Sequence, residues 1–476
     1  MLKKISIAFI IFFIIGVFFI GYTDNRIIFT LKNNIPIELR SFLKKTIFFP
    51  FNHSSRIADL NKTNSRLSSK VNDLENQIIY LKELILNSSK ENNFIKNIEL
   101  PIFNKKTILS NNKNPYNFKN FLFATVTPWQ YNERKPVGYL AEYNENLIIL
   151  DGEGNIGFFK IDDLDNNNLN LNFIKNNFKD IVDKNSKIFE KGRQSFRGIL
   201  IHNGNIYISY YKMIKNGCYN IAILKSSFNY QNLIFDDFFS YEECSYNMSN
   251  HSGGKMVKYN DESFFFTTGD AQLFINAQQD DSYFGKLYLI NFNSGEHKLI
   301  AKGMRDSQGA YWHKKSQNLL MTEHGPKGGD EINILSEKEF AENTNFGWPI
   351  STYGELGATP IKENKFTSKD KDNHKLNGFK EPLFWFKGNS VAPSAIVNVD
   401  NFKKGFENDF FMSAMGNVPA PGRRSLHHFK YDEKNNILIQ EDIIPIGERI
   451  RDLIYLDDKK TIVMILENSP SIAVLQ

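Results

Sequence analysis

The sequence predicts an all-β domain of sandwich or propeller type, carried behind an N-terminal apolar segment and a heptad-patterned helix. From about residue 100 onward, short alternating or wholly apolar runs recur with turn residues between them, as in Tyr139–Leu150, Ile199–Tyr210, Lys255–Thr268 and Arg449–Leu456. No helical period interrupts that stretch. Ahead of it lie two segments with patterns that strands do not show: an apolar run over residues 5–22 and a seven-residue repeat over residues 51–92.

Lys3 and Lys4 precede an uncharged, mainly apolar run from Ile5 to Tyr22. As a helix this run is about 27 Å long, enough to cross a hydrocarbon core. The following Gly21-Tyr22-Thr23-Asp24-Asn25 lacks the small-residue pattern of a cleavage site. An uncleaved anchor over 1–22 is therefore expected, with its lysines in the cytoplasm and the rest of the chain on the periplasmic or extracytoplasmic side. Residues 23–50 form a juxtamembrane segment.

Over 51–92, Ile57, Asn64, Val71, Ile78 and Ile85 fall at one core position of a heptad, and Leu60, Leu67, Leu74 and Leu81 at the other. β-Branched residues at the first with Leu at the second favour two parallel strands, and a single Asn in that row fixes the register. An amphipathic helix packing on its own chain would show a broader stripe. Here Asn, Ser, Lys and Glu flank the seam, so a parallel coiled coil is expected, pairing two copies into a homodimer.

Aromatics make up 14% of the whole chain, with 42 Phe and 20 Tyr, enough for a large core in the remainder, 100–476. A net charge of +5, spread along the sequence, gives no case for nucleic acid. Cys218 and Cys244 lack metal-type spacing; one disulfide and two buried thiols are equally open. Turns such as His202-Asn203-Gly204-Asn205, Asp151-Gly152-Glu153-Gly154 and Asn293-Ser294-Gly295 suit hairpins. Sequence repeats do not stand out, so pattern alone leaves sandwich and propeller both open.

Several motifs carry chemistry. His251 opens His251-Ser252-Gly253-Gly254, and the next strand ends in Thr268-Gly269-Asp270. A histidine at a strand entrance acts as a general base when a carboxylate fixes its tautomer. Gly303-Met304-Arg305-Asp306-Ser307-Gln308-Gly309 places a cation before another strand. Glu323-His324-Gly325-Pro326-Lys327-Gly328-Gly329-Asp330-Glu331-Ile332-Asn333 packs carboxylates and glycines into one turn, followed by Asn345-Phe346-Gly347-Trp348-Pro349. Glycines at that density present backbone groups to a ligand, and the acidic side chains offer hard oxygens. Arg449 and Arg451, two apart on a strand, can both meet one anion. His324 reads as a turn histidine, since no second His or Cys stands at zinc-ligand spacing. Glu323, Asp330, Glu331 and Asn333 either hold a structural ion or brace the loop.

Taken together and in this order, these motifs resemble the glucose/sorbosone dehydrogenases, quinoprotein sugar dehydrogenases built on a six-bladed β-propeller. The resemblance covers roughly residues 190–476, is dense in 251–270, 303–349 and 449–452, and selects the propeller. It implies an enzyme that oxidises the C1 hydroxyl of an aldose with pyrroloquinoline quinone (PQQ) and calcium, passing electrons to a membrane quinone or cytochrome-like acceptor. It further implies His251 as base, Asp270 as its orienter, Arg305 and Asp306 beside the quinone, and Arg449 and Arg451 on the cofactor carboxylates. Ser390, in Ser390-Val391-Ala392-Pro393-Ser394, would touch the cofactor, and the carbonyls of Gly325 and Pro326 would bind calcium.

The sequence departs from the family pattern twice. Asp306 stands where the family has Asn, placing an acceptor that is normally negative near an anionic cofactor. Met412-Ser413-Ala414-Met415-Gly416-Asn417 lacks the family's cofactor lysine, though Arg423 and Arg424 follow it. The alternative expectation is thus a catalytically altered propeller that binds a sugar or a protein.

Overall fold

The computed structural model describes residues 97–476 apart from 124–135, 182–195, 249, 356–365, 368–372 and 417–421. The expected anchor (1–22), juxtamembrane segment (23–50) and coiled coil (51–92) lie outside the described residues. Among the described residues no helix is long and apolar enough to cross a membrane.

Phe94–Gln476 forms one compact unit, and its strands fall into six antiparallel four-stranded blades. From the inside outward, blade 1 is Gly138–Tyr143, Asn146–Asp151, Ile156–Lys160 and Asn168–Asn176; blade 2 is Phe196–His202, Asn205–Lys215, Cys218–Ser227 and Asp236–Phe239. Blade 3 is Gly253–Lys258, Ser263–Thr268, Lys286–Asn291 and His297–Lys302; blade 4 is Ser307–His313, Asn318–Glu323, Glu331–Ser336 and Phe384–Trp385. Blade 5 is Pro393–Asn398, Asp409–Ala414, Leu426–Asp432 and Ile437–Ile444. Blade 6 takes Ile450–Leu456, Thr461–Leu466 and Ser471–Leu475 from the C-terminus, and Pro115–Leu122 from the other end of the unit.

Each innermost strand packs on the innermost strand of the next blade, and that of blade 6 packs on that of blade 1. The ring is closed, the arrangement of a β-propeller. Asn97–Leu109 seals the closure: its first part pairs with the outer strand of blade 1 and its second with Pro115–Leu122 of blade 6. Radial repetition of this kind leaves only short, protected edges at the innermost strands.

The core is distributed. Six hydrophobic clusters each lie between two neighbouring blades. Sandwiched on both faces, the second strands are buried along almost their whole length: Thr461–Leu466 and Asp409–Ala414 have no exposed residue. Strands covered on two sides read as continuous apolar runs rather than as clean alternation, which is why the sequence shows apolar runs and few period-2 strands.

Turn chemistry follows the sequence. His202 pairs with Asn205 across Asn203 and Gly204, whose φ values of 45° and 68° are those of a two-residue primed hairpin turn. The question left open by the cysteines is settled: Cys218 and Cys244 form a disulfide. It ties blade 2 to the segment that leads into His251.

Candidate active site

The inner strands of blades 3 to 6 begin at Gly253, Ser307, Pro393 and Ile450, so the residues just before them gather at one mouth of the ring. There His251, Arg305, Asp306, Ser390, Arg449 and Arg451 line a single cavity of about 270 Å³, together with Gln308, His324, Gly325, Asp330 and Met415. That volume is near the lower end for small-molecule sites, about 300 Å³. Of the residues singled out from sequence, Asp270 sits behind the wall, fully buried. Pro326 lines only a smaller neighbouring cavity.

His251 stands at φ 54°, a left-handed conformation unusual for a non-glycine residue and one that gathers at functional sites. A Cβ on Gly269 would collide with the His251 carbonyl, so only glycine allows the two segments to approach so closely. The His251 Nδ1 lies 2.9 Å from Asp270 Oδ1. A carboxylate there places the proton on Nδ1 and leaves Nε2 as the basic nitrogen. Asp270 is itself held: Oδ1 also accepts the Gln272 N–H at 2.8 Å, and Oδ2 accepts the Trp348 indole N–H at 2.7 Å.

Arg305 Nη1 donates to the carbonyls of His324 (2.7 Å) and Gly325 (3.2 Å), while its buried Nε has no hydrogen-bond partner among the described residues. Its guanidinium lies 5.3 Å from the centre of the Trp348 ring. On the opposite wall, Arg449 and Arg451 converge on one carboxylate from their own chain. Glu467, with no exposed surface, accepts Arg449 Nε at 3.0 Å and Arg451 Nε at 2.6 Å. Burial would raise the Glu467 carboxyl, but the charges of Arg451 and Arg449 outweigh it and hold it below the usual range. Burial pushes Arg449 down to about 10, whereas Arg451, also opposed by burial, is carried upward by Glu467.

Asp306 is not an isolated charge. Its Oδ1 accepts the Gly253 N–H (3.1 Å) and the Gln308 amide (2.7 Å), and its Oδ2 faces His324 Nδ1 at 3.7 Å. Burial acts to raise it, yet His324, His251, Arg197 and the Gly253 amide together hold it below the ordinary carboxylate range. Of these groups Arg197 is the standing cation, since burial lowers His324 to about 4 and leaves its imidazole neutral at pH 7. Gln308 in turn bridges Arg197 (2.9 Å) and Arg451 (3.3 Å). Ser390 accepts the Gly328 N–H at 2.8 Å and keeps its own proton to donate. Met415 supplies a carbonyl to Arg449 at 2.9 Å, and Arg424 Nε donates to the Gly416 carbonyl at 3.2 Å.

The Gly325–Pro326 carbonyls are both engaged, Gly325 with Arg305 and Pro326 with the Gly329 N–H at 2.8 Å. Unpaired oxygens lie instead in the smaller cavity, about 20 Å³, room for one water or ion. Glu323 Oε2, Asn333 Oδ1 and Ser351 Oγ are buried there without partners, and burial raises the Glu323 carboxyl well above its ordinary value. Among the described residues no group of three or more His, Cys, Asp and Glu side chains is gathered for a metal. A hard cation held here would therefore also use Asn, Ser and main-chain oxygens, as calcium does.

Sequence reasoning missed Glu467, Trp348, Gln308 and Arg197. A signal existed for Glu467: it follows Arg449 by 18 residues, much as Asp270 follows His251 by 19.

Fold and site together define a propeller with an arginine-lined cavity and a carboxylate-held histidine at one mouth. The chain belongs to the glucose/sorbosone dehydrogenase family, whose model matches residues 173–474. It is 28% identical over 218 residues to the aldose sugar dehydrogenase YliI of Escherichia coli (strain K12), a match over 43% of this chain and 54% of that protein. It is 27% identical over 229 residues to the uncharacterized protein slr1608 of Synechocystis sp., over 43% and 50%. The matched region thus spans about half the length of these curated relatives. In fold, it is similar to the soluble aldose sugar dehydrogenase of Escherichia coli in its apo-form (TM-score 0.57, 19% identity, 74% of this chain and 99% of that one). It is similar also to the PQQ-bound aldose sugar dehydrogenase of Streptomyces coelicolor (TM-score 0.51, 14% identity, 75% and 98%).

Proposed function

We propose that this protein is an exported, membrane-anchored, PQQ- and calcium-dependent aldose dehydrogenase. The observation that carries the reading is the convergence of the Asp270-held His251 with three guanidinium groups on one cavity. The donor set suits the cofactor. Three arginines match a planar tricarboxylate, guanidinium forks suit such anions, and the unpartnered Arg305 Nε is a buried donor awaiting an acceptor. In this reading Arg449, Arg451 and the Ser390 hydroxyl hold the carboxylates, and Asp306 orders Gln308 behind them. PQQ, when bound, supplies the acceptor for the hydride leaving C1 of the sugar. His251 Nε2 takes the proton of the C1 hydroxyl, and Arg305 stabilises negative charge developing beside it.

Calcium belongs either to the Gly325–Pro326 carbonyls or to the unpaired oxygens of the smaller cavity. The aldose class rests on the family and on the name of the Escherichia coli relative. Export rests on Lys3, Lys4 and the apolar run 5–22, and the Cys218–Cys244 disulfide suits an oxidising compartment. The heptads over 51–92 would pair two copies and hold them off the membrane, where a quinone or cytochrome acceptor takes the electrons. One observation favours the second reading, an altered propeller that only binds: among the described residues no lysine lines the cavity.

The test is titration of the purified full-length protein with PQQ and calcium, followed by dye reduction with aldoses. Saturable cofactor binding that His251→Ala preserves, with turnover lost, supports the enzyme. No binding at micromolar PQQ with calcium present removes it.

A further inference from the structure

We propose that Trp348 is the positioning residue that couples the base to the cation: its indole N–H fixes Asp270 behind His251, and its ring face seats Arg305. The inference rests on the dehydrogenase reading for its consequences in turnover, but its geometry stands without it. Trp348 belongs to the Asn345-Phe346-Gly347-Trp348-Pro349 motif.

Three contacts define the coupling. Trp348 Nε1 donates to Asp270 Oδ2 at 2.7 Å; the other Asp270 oxygen takes His251 Nδ1 at 2.9 Å; and the Arg305 guanidinium stands 5.3 Å from the indole centre. The tryptophan is 5% exposed and anchored on both sides of its backbone, by its N–H on the Gly303 carbonyl (3.0 Å) and by the Gln278 amide on its carbonyl (2.6 Å). Phe274 packs edge-on against it at 5.9 Å and also stands 6.3 Å from the His251 ring. Gly347, at φ 90°, has no room for a Cβ, which would collide with His374, so the motif's glycine is what admits the indole.

The chemistry follows from the inventory of donors. Asp270 has no exposed surface, so each of its oxygens depends on protein donors. Indole offers one donor and no acceptor, and here that donor holds Oδ2 while the Gln272 N–H holds Oδ1, so the two together keep the carboxylate from turning. A carboxylate free to turn would release Nδ1 and let His251 protonate on Nε2, the nitrogen required as the base. The ring face, meanwhile, attracts the guanidinium through its quadrupole. The other charged groups that share the cavity wall with His251 include Asp306 and Arg305, consecutive on the segment before Ser307, while the hydrogen-bond partner of Nδ1 is Asp270.

Trp348→Phe separates the two tasks, because it keeps a ring face and removes the N–H. In full-length protein, 15N spectra of labelled histidine read the His251 tautomer without cofactor, and PQQ titration with calcium reads binding apart from turnover. The expected result is a single Nδ1–H tautomer in the unmodified protein and a mixture in Trp348→Phe. Turnover falls roughly tenfold, a fraction of the 10²–10⁴-fold that a positioned base contributes, while the PQQ Kd changes less than about twofold. Trp348→Leu, which removes the face as well, weakens PQQ binding in addition. If Trp348→Phe does not fold, benzothienylalanine at 348 keeps the shape and lacks only the N–H. An unchanged His251 tautomer and turnover in the variant lacking the N–H would overturn the proposal; an unchanged PQQ Kd in Trp348→Leu would overturn its Arg305 half. If no variant, nor the unmodified protein, binds PQQ, it is the dehydrogenase reading that falls, and the tautomer spectra still decide the link from Trp348 to His251.

Discussion

Glu467→Gln is the substitution whose cost is most directly fixed by the structure. The side chain is nearly isosteric, so packing is preserved and only charge and one acceptor are lost. In the native site both oxygens are committed: Oε2 to Arg449 Nε and, at 3.3 Å, to Arg451 Nη2, and Oε1 to Arg451 Nε and, at 3.3 Å, to the Val137 N–H. An amide there turns an NH₂ toward guanidinium donors and leaves two buried cations without their counter-charge. Breaking a buried pair in this way costs about 3–5 kcal/mol. With about 2.1 cal/mol/K of unfolding entropy per residue, the unit Phe94–Gln476 carries about 0.8 kcal/mol/K, so Tm falls by about 4–6 °C. Calorimetry on the full-length protein measures this. Because the folded carboxyl lies below its ordinary value, its contribution is present above the unfolded pKa and is lost as pH falls through the folded one, so the deficit shrinks in acid. The double variant with Arg451→Met should lose less than the sum of the single changes, since one unpaired cation has gone. A Tm within about 1 °C of the parent at neutral pH, or strict additivity, would refute the clamp.

Two further outcomes follow from single carboxylates. Asp151 is buried and raised to about 7 by that burial, against the amides of Glu153 and Asn155; a carboxyl raised on folding favours the native state below its unfolded pKa and loses that contribution as pH rises through about 7. Stability should therefore fall from pH 5 to pH 7 by up to about 1.4 kcal/mol per unit, and urea midpoints of Asp151→Asn should show a flatter profile over that window whatever its constant cost. Asp306→Asn keeps an oxygen for Gly253 and Gln308 and removes a negative charge from the cavity; the PQQ Kd should drop by roughly tenfold, about 1.4 kcal/mol, measured by fluorescence titration, and a weaker Kd would show the carboxylate to be needed for order rather than tolerated.

Much of the site was legible because its residues sit at strand entrances, where motifs are local. His251-Ser252-Gly253-Gly254 and Arg449-Ile450-Arg451-Asp452 announce themselves over a few positions, and ring closure brings those positions together without further instruction. What stayed hidden depends on partners that only the closed ring supplies. Phe118 pairs with Leu475, so nothing near residues 97–122 signals that they seal blade 6. The cysteine pairing could not be decided from a separation of 26 residues; it is set by the bridge of Tyr219 to Ser245 beside it. No role for Trp348 is legible in the sequence, since neither its N–H partner nor its cation is near in sequence.

The blades share no obvious sequence repeat, yet the site repeats a spacing. His251 and Asp270 are 19 residues apart, and Glu323 receives the Arg305 backbone N–H 18 residues after it. Glu467 receives the Arg449 guanidinium 18 residues after it. In each case the first residue precedes an inner strand and the carboxylate stands at or just beyond the end of the second strand. An antiparallel hairpin of two six- to seven-residue strands returns the chain to the mouth it left, so a group at its start meets a group at its end. The recurrence is geometric: three uses of one hairpin length, in blades 3, 4 and 6, each turned to a different task, holding a base, a loop and an arginine pair. A scan for a cationic or imidazole residue before a strand, with a carboxylate 18 or 19 positions later, would have found Glu467 from the sequence. The repeat in this propeller lies in where charge is returned to the mouth, and residue identity between those points is free to drift because it only has to fill the space between two neighbouring blades.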